Sequence, residues 1–153
     1  MITDLQEIRA DGKVIAEAMT FAQMRALGWQ PCLLTSVRWN DDGRTVELKH
    51  AAGLNVEVLP NRELVAALVN DDASAQTNRL CVFNRDGSLR HELANVQDIR
   101  GTAEAGSFGW FERAQSPDPN LIHVVFELER NRATYWLDLD AANGRIIGSR
   151  QVS

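Results

Sequence analysis

The chain has 153 residues, of which 44% are hydrophobic and 24% are charged, and its formal net charge is −5. This composition excludes a disordered chain, and the length suits one ordinary domain with a real core. We therefore expect residues 1–153 to form a single domain, with a soft division near 70–78 where the residues are small and polar. We find no apolar run that would span a membrane and no secretory pattern at the N-terminus, which predicts a cytoplasmic protein with no membrane partner.

The charged residues argue against nucleic acid as a partner. The 16 basic residues are scattered among 21 acidic ones, and only Lys13 and Lys49 are lysines. Phosphate backbones are bound by clustered positive charge, which this chain lacks. An acidic domain of this kind suits a basic protein partner, which it would attract through long-range electrostatics.

A recurring turn signal predicts β-hairpins along most of the chain. Asp11-Gly12, Asp42-Gly43, Asp86-Gly87 and Asn143-Gly144 each separate two runs that alternate like half-buried strands. Glycine supplies the positive φ of such turns, and the preceding Asp or Asn tolerates left-handed geometry. The strand-like runs are 33–39, 46–48, 56–58, 80–83, 88–93, 108–113, 121–129, 132–140 and 145–151.

Helix signals are fewer. Thr20 and Gln23 have capping-box spacing, which predicts a helix over 21–27 that stops at Gly28, while residues 13–19 either extend it or form a strand. Asn61 after Pro60 predicts a second helix through 69 because Leu64, Val65, Leu68 and Val69 share one helical face. Residues 94–107 are predicted to be an irregular loop. The expected fold is α+β and mainly antiparallel β, a twisted meander sheet or partly open barrel of about nine strands with one or two short helices.

No pattern for metal or cofactor chemistry is found. The three histidines, His50, His91 and His123, lie far apart without ligand spacing, and no phosphate-binding glycine loop or nucleophile elbow occurs. Cys32 and Cys81 lie in apolar runs, which predicts free buried thiols. We therefore expect no cofactor, no metal and no catalytic residues.

One hairpin gives a more specific expectation. A two-residue turn at Arg130-Asn131 would pair His123 with Asp138, Val125 with Trp136 and Glu127 with Thr134 on one face. The opposite face would then be apolar throughout, with Ile122, Val124, Phe126, Tyr135, Leu137 and Leu139. A large aromatic residue amid charges is typical of protein-binding patches.

Two functional hypotheses follow. The first is a non-enzymatic protein-binding module, such as a bacterial inhibitor or immunity protein, that neutralises a basic toxin or nuclease through a mixed acidic and aromatic sheet face. Its expected partner-binding residues are Trp136, Asp138, His123, Glu127 and Thr134. The alternative is a small-ligand-binding β-barrel or cryptic enzyme with His123 as the polar anchor.

Overall fold

A computed structural model describes residues 1–27, 33–70, 78–114 and 116–152. These residues form thirteen strands, all paired antiparallel, and one short helix. The elements in chain order are β1 Ile2–Arg9, β2 Val14–Ala16, α1 Phe21–Ala26, β3 Leu34–Asp41, β4 Arg44–Lys49, β5 Leu54–Val58, β6 Leu64–Asn70, β7 Asn78–Asn84, β8 Leu89–Leu93, β9 Val96–Ile99, β10 Thr102–Arg113, β11 Leu121–Leu128, β12 Thr134–Asp140 and β13 Arg145–Gln151. The mainly antiparallel fold is confirmed. The expected detail of an α+β fold with about nine strands and one or two helices is wrong, because the described residues form thirteen strands and almost no helix.

The strands form three sheets in sequence order. The first sheet has the order β2-β1-β3-β4, the second β5-β6-β7-β8 and the third β13-β12-β11-β10-β9. Glycines at the four predicted turns, Gly12, Gly43, Gly87 and Gly144, all have positive φ, which confirms their role in closing hairpins.

The second sheet lies between the other two. On one side Leu64, Leu68 and Val82 pack into a core shared with the third sheet, which contributes residues such as Phe126 and Leu137. On the other side the second sheet packs against the first: one cluster joins Val65 to Val37 and Trp39, and a neighbouring one joins Ala67, Val69 and Cys81 to Leu48. The protein is therefore a three-layer stack of sheets, and the outermost faces belong to the first and third sheets.

The helix predicted through residue 69 is wrong, because residues 64–70 form strand β6. Strand β6 is hydrogen-bonded to β5 and β7 and is buried on both faces. A strand covered on both faces has no polar alternation, so its apolar run cannot be distinguished from a buried helix by periodicity.

The first predicted helix is confirmed as α1, with Thr20 and Gln23 forming the capping box. Its predicted stop, Gly28, lies outside the described residues.

The prediction of an irregular loop at 94–107 is also wrong. Strand β9 and the first part of β10 occupy it, joined by a turn in which Arg100 and Gly101 have φ of 54° and 86°. Strand β1 is the run expected before the Asp11-Gly12 turn, but no bounds were predicted for it, and a register shift between Thr3 and Gln6 interrupts its alternation. The single-domain prediction stays a prediction, and most of the proposed division near 70–78 lies outside the described residues. Cys81 is buried, as expected, while Cys32 is not among the described residues.

Candidate functional site: the outer face of the third sheet

The predicted register of the β11–β12 hairpin is confirmed. His123 pairs with Asp138, Val125 with Trp136 and Glu127 with Thr134. The turn itself is longer than expected: the backbone N–H of Leu128 donates to Ala133 O at 2.8 Å, so the loop spans residues 129–132. The predicted register is nevertheless correct, because the predicted two-residue turn and the observed longer loop place the same residues opposite one another. All five predicted site residues therefore lie on the sheet face that points away from the core, which we call the outer face.

The two outermost faces of the protein differ in chemistry. On the first sheet the residues that alternate with buried Val37 and Trp39 are polar, and Arg38 donates to Gln6 there at 2.7 Å. The outer face of the third sheet carries large apolar side chains among its charges. Trp110, Ile147 and Val152 are exposed by 55%, 60% and 41%. An amphipathic face of this kind is a typical interaction surface.

His123 and Asp138 form the central polar contact of the outer face. His123 Nε2 lies 2.8 Å from Asp138 Oδ1, and the two side chains are 20% and 37% exposed. Directly across from Asp138 is Gly148, where a Cβ would lie only 2.6 Å from Asp138 Oδ2. The missing side chain at Gly148 therefore leaves room for the carboxylate in its present position.

Trp136 lies beside this pair, and the guanidinium group of Arg150 lies over its ring. Its ring is 5.4 Å from the His123 ring, and the Arg150 guanidinium carbon lies 4.8 Å from the Trp136 ring centre. Arg150 is the cross-strand neighbour of Trp136 on β13. The Trp136 side chain is thus held in place by neighbours on two sides, so it loses little conformational entropy when a partner binds.

Glu127 and Thr134 lie at the other end of the predicted patch. Glu127 Oε1 is 2.5 Å from Nε of the exposed Arg132, an ion pair of the kind that contributes little at a surface. His123 and Glu127 are four residues apart on one strand, or about 13 Å. The two side chains therefore cannot act together on one small atom, which argues against acid–base catalysis by this pair.

Trp110 belongs to the outer face. Because Trp110 and Phe111 are adjacent on one strand, alternation predicts only that their side chains point to opposite faces, one of them to the core. The register of β10 shifts between Phe108 and Phe111, which leaves Gly109 and Trp110 together opposite Val125. This β-bulge turns Trp110 outward, while Phe111 packs against the core. Alternation alone could not decide which of the two faces outward, because a bulge reverses it.

The two cavities described are elsewhere. One, of about 380 Å³, is lined by Asp41 at the end of β3 and by residues beside β6 and β7 that include Glu63 and Arg85. The other, of about 310 Å³, includes Glu7, Glu57 and Met24. His123 lines neither of them.

Glu7 in the second cavity gives a prediction about pH. Burial, and to a smaller extent the charge of Glu57, raise the pKa of Glu7 above its usual value. A carboxyl group whose pKa is raised by folding favours the folded state most below its unfolded pKa, and this contribution is lost as pH rises through the folded pKa. We expect Glu7→Gln to increase the free energy of unfolding at pH 7.5 and to leave it nearly unchanged at pH 4, measured by urea denaturation. An equal effect at both pH values would contradict this assignment; Glu47→Gln on β4 is the control.

Within the ranges described, no three His, Cys, Asp or Glu side chains converge in a way that could hold a metal ion. In the same residues, no helix has the length and apolar character needed to cross a membrane.

The fold and the outer face together define a three-layer antiparallel β protein with one amphipathic sheet face. Neither a protein-family model nor a curated protein sequence matches the chain. A chain of the solved structure "Structure of Tne2 in complex with Tni2" does match, with a TM-score of 0.93 and 35% sequence identity over 100% of both chains. The protein belongs to the same family as that chain.

Proposed function

We propose that this protein is a non-enzymatic binding module of the inhibitor or immunity type, and that it neutralises a partner protein through the outer face of the third sheet. The observation that carries the proposal is full-length similarity to one chain of a complex between two proteins, Tne2 and Tni2. A relative that forms a stable two-protein complex supports a protein partner for this chain as well.

The chemistry of the outer face supports its role as the binding surface. It combines large exposed apolar side chains with a tryptophan that its neighbours hold in place, and such aromatic anchors carry much of the energy of protein interfaces. The acidic groups Glu112, Glu127 and Asp138 occupy the same face, which favours a partner with a basic contact surface. The bound partner would be a basic toxin or nuclease, and binding would block its active surface.

Trp136 is expected to be the main anchor. The partner to test is the protein encoded beside this chain's gene, purified and titrated calorimetrically. We expect Trp136→Ala to weaken binding at least about 30-fold, which corresponds to about 2 kcal/mol, because truncation removes the buried aromatic contact.

Asp138→Asn, which keeps a similar shape and removes the charge, is expected to weaken binding more at low salt than at high salt.

Two control variants test whether the effect belongs to this face. Leu89→Ala removes an exposed apolar side chain from the second sheet, and Glu47→Ala removes a carboxylate from the first. Both are expected to bind like the unmodified protein. Full affinity in Trp136→Ala and Asp138→Asn, with both variants folded by thermal unfolding, would contradict the proposal that the outer face binds the partner.

The alternative, a ligand-binding or catalytic site anchored on His123, stays a prediction. It requires an enclosed space beside His123, and the two cavities described above lie elsewhere. A metabolite that raises the unfolding temperature of the unmodified protein but not of His123→Ala would favour this alternative over a binding module.

A further inference from the structure

We infer that Trp110 and Glu112 form a seat for an arginine side chain of the partner protein; this inference rests on the proposed function and adds the chemistry of one contact. Trp110 is 55% exposed on the outer face, and its indole Nε1 lies 3.4 Å from Glu112 Oε1. The two side chains thus place an open aromatic surface next to a carboxylate.

Neither group has an opposite charge beside it among the residues that the structure describes. Among the described residues no cation lies over the Trp110 ring, and Glu112 forms no ion pair. Glu112 pairs across the sheet with His123, whose Nε2 contacts Asp138 instead. The carboxylate and the indole are therefore available to a group that arrives from outside.

The same sheet shows what kind of group fits. Trp110 and Trp136 both lie opposite Val125, one on each side of β11, so they form one row across the sheet with Arg150 at its end. The Arg150 guanidinium lies over the Trp136 ring, with its carbon 4.8 Å from the ring centre. Trp136 therefore already has its cation, and Trp110 has the same aromatic group without one.

Arginine suits this site better than lysine does. Its planar guanidinium stacks on an indole and at the same time donates parallel N–H bonds to a carboxylate, whereas an ammonium group acts as a point charge. Glu112, next to the edge of the Trp110 ring, is placed to receive such bonds. A basic partner is also drawn to a chain of net charge −5.

The seat can be tested without the partner, using acetylated and amidated hexa-arginine as the probe and hexa-lysine as its match. In an NMR titration of the full chain, we expect hexa-arginine to shift the indole N–H resonance of Trp110 more than that of Trp136. Glu112→Gln is expected to weaken the Trp110 response at least threefold, while Glu47→Gln, with the same charge change on the first sheet, leaves it unaltered. In Arg150→Ala, we expect hexa-arginine to shift the Trp136 resonance as well, because the substitution removes the guanidinium that lies over the Trp136 ring.

Several results would overturn the inference. They are equal weakening by Glu112→Gln and Glu47→Gln, equal shifts with hexa-lysine, or no response at Trp110. Each of the first two would show general attraction to an acidic surface rather than a seat.

Titration of the partner protein separates this inference from the proposed function. We expect Trp110→Leu and Glu112→Gln each to weaken partner binding at least fivefold. If Trp136→Ala weakens binding and these two variants do not, the seat is wrong and the proposed function stands. If none of the three weakens binding, the outer face is not the partner-binding surface and both proposals fail.

Discussion

Ala66→Glu and Ala67→Glu are each expected to abolish stable folding. Both alanines are fully buried in β6, an inner strand of the middle sheet. Ala66 faces the core shared with the third sheet, and Ala67 faces the first. A glutamate at either position would bury an unpaired charge and overfill a packed layer, which costs more than about 4 kcal/mol. That is a large part of the 5–15 kcal/mol typical of a domain's stability.

The pair of variants separates the observed strand from the helix that the sequence suggested. In a helix whose core face held Leu64, Val65, Leu68 and Val69, residues 66 and 67 would point toward solvent and tolerate a charge. In the strand they face opposite cores, so both substitutions are damaging. Soluble expression and urea denaturation measure the effect, and Ala51→Glu in an exposed loop is the matched control. A folded, cooperative Ala66→Glu variant would contradict the three-layer arrangement.

The sequence predicted those parts of the fold whose signals are local. Turn glycines such as Gly43 and Gly144 mark hairpins because positive φ is a property of a single residue. The register of β11 and β12 was predicted from a two-residue turn at Arg130-Asn131, and it is confirmed although the turn differs in length. Each of these inferences needed only residues close together in the chain.

The errors arose where tertiary structure overrides local pattern. Strand β6 is covered on both faces by sheets formed by other parts of the chain, so nothing near it indicates two separate cores. The bulge at Gly109 and Trp110 and the irregularity near Asp4 shift alternation by a residue, and propensity does not show where such a shift falls. The candidate site was predicted only where alternation holds, and Trp110 was not assigned to it for this reason.

The layered arrangement also explains why one sheet face is available for binding. The inner strands of the second sheet, β6 and β7, use both of their faces for the core, so neither face of these strands is available to a partner. In the part of the chain that the structure describes, the first and third sheets each have an outward face, and only that of the third combines tryptophans with carboxylates. In the β11–β12 hairpin of the third sheet, the residues that face the core hold the fold together, and the alternate residues face outward. Stability and recognition are thus assigned to opposite faces of the same two strands.

Phe126→Ala is the prediction that tests this division. Phe126 is fully buried on β11, between outward-facing Val125 and Glu127, and its ring centre lies 5.1 Å from that of Phe108. Gly106 lies so close that a Cβ there would be 2.6 Å from the Phe126 ring, so the ring fills its space completely. Truncation to alanine leaves a cavity that the neighbouring strands cannot close, and the expected loss is about 3–5 kcal/mol in the free energy of unfolding.

Phe126→Leu, which keeps most of the volume, is expected to lose less than half as much in urea denaturation. At a temperature where Phe126→Ala remains folded, its affinity for the partner should stay within about threefold of the unmodified protein, because the side chain points away from the outer face. Trp136→Ala should show the opposite behaviour, with weak binding and a smaller loss of stability. If Phe126→Ala weakens binding as strongly as Trp136→Ala while still folded, the two faces of the hairpin do not act separately, and the outer face owes its shape to the core beneath it.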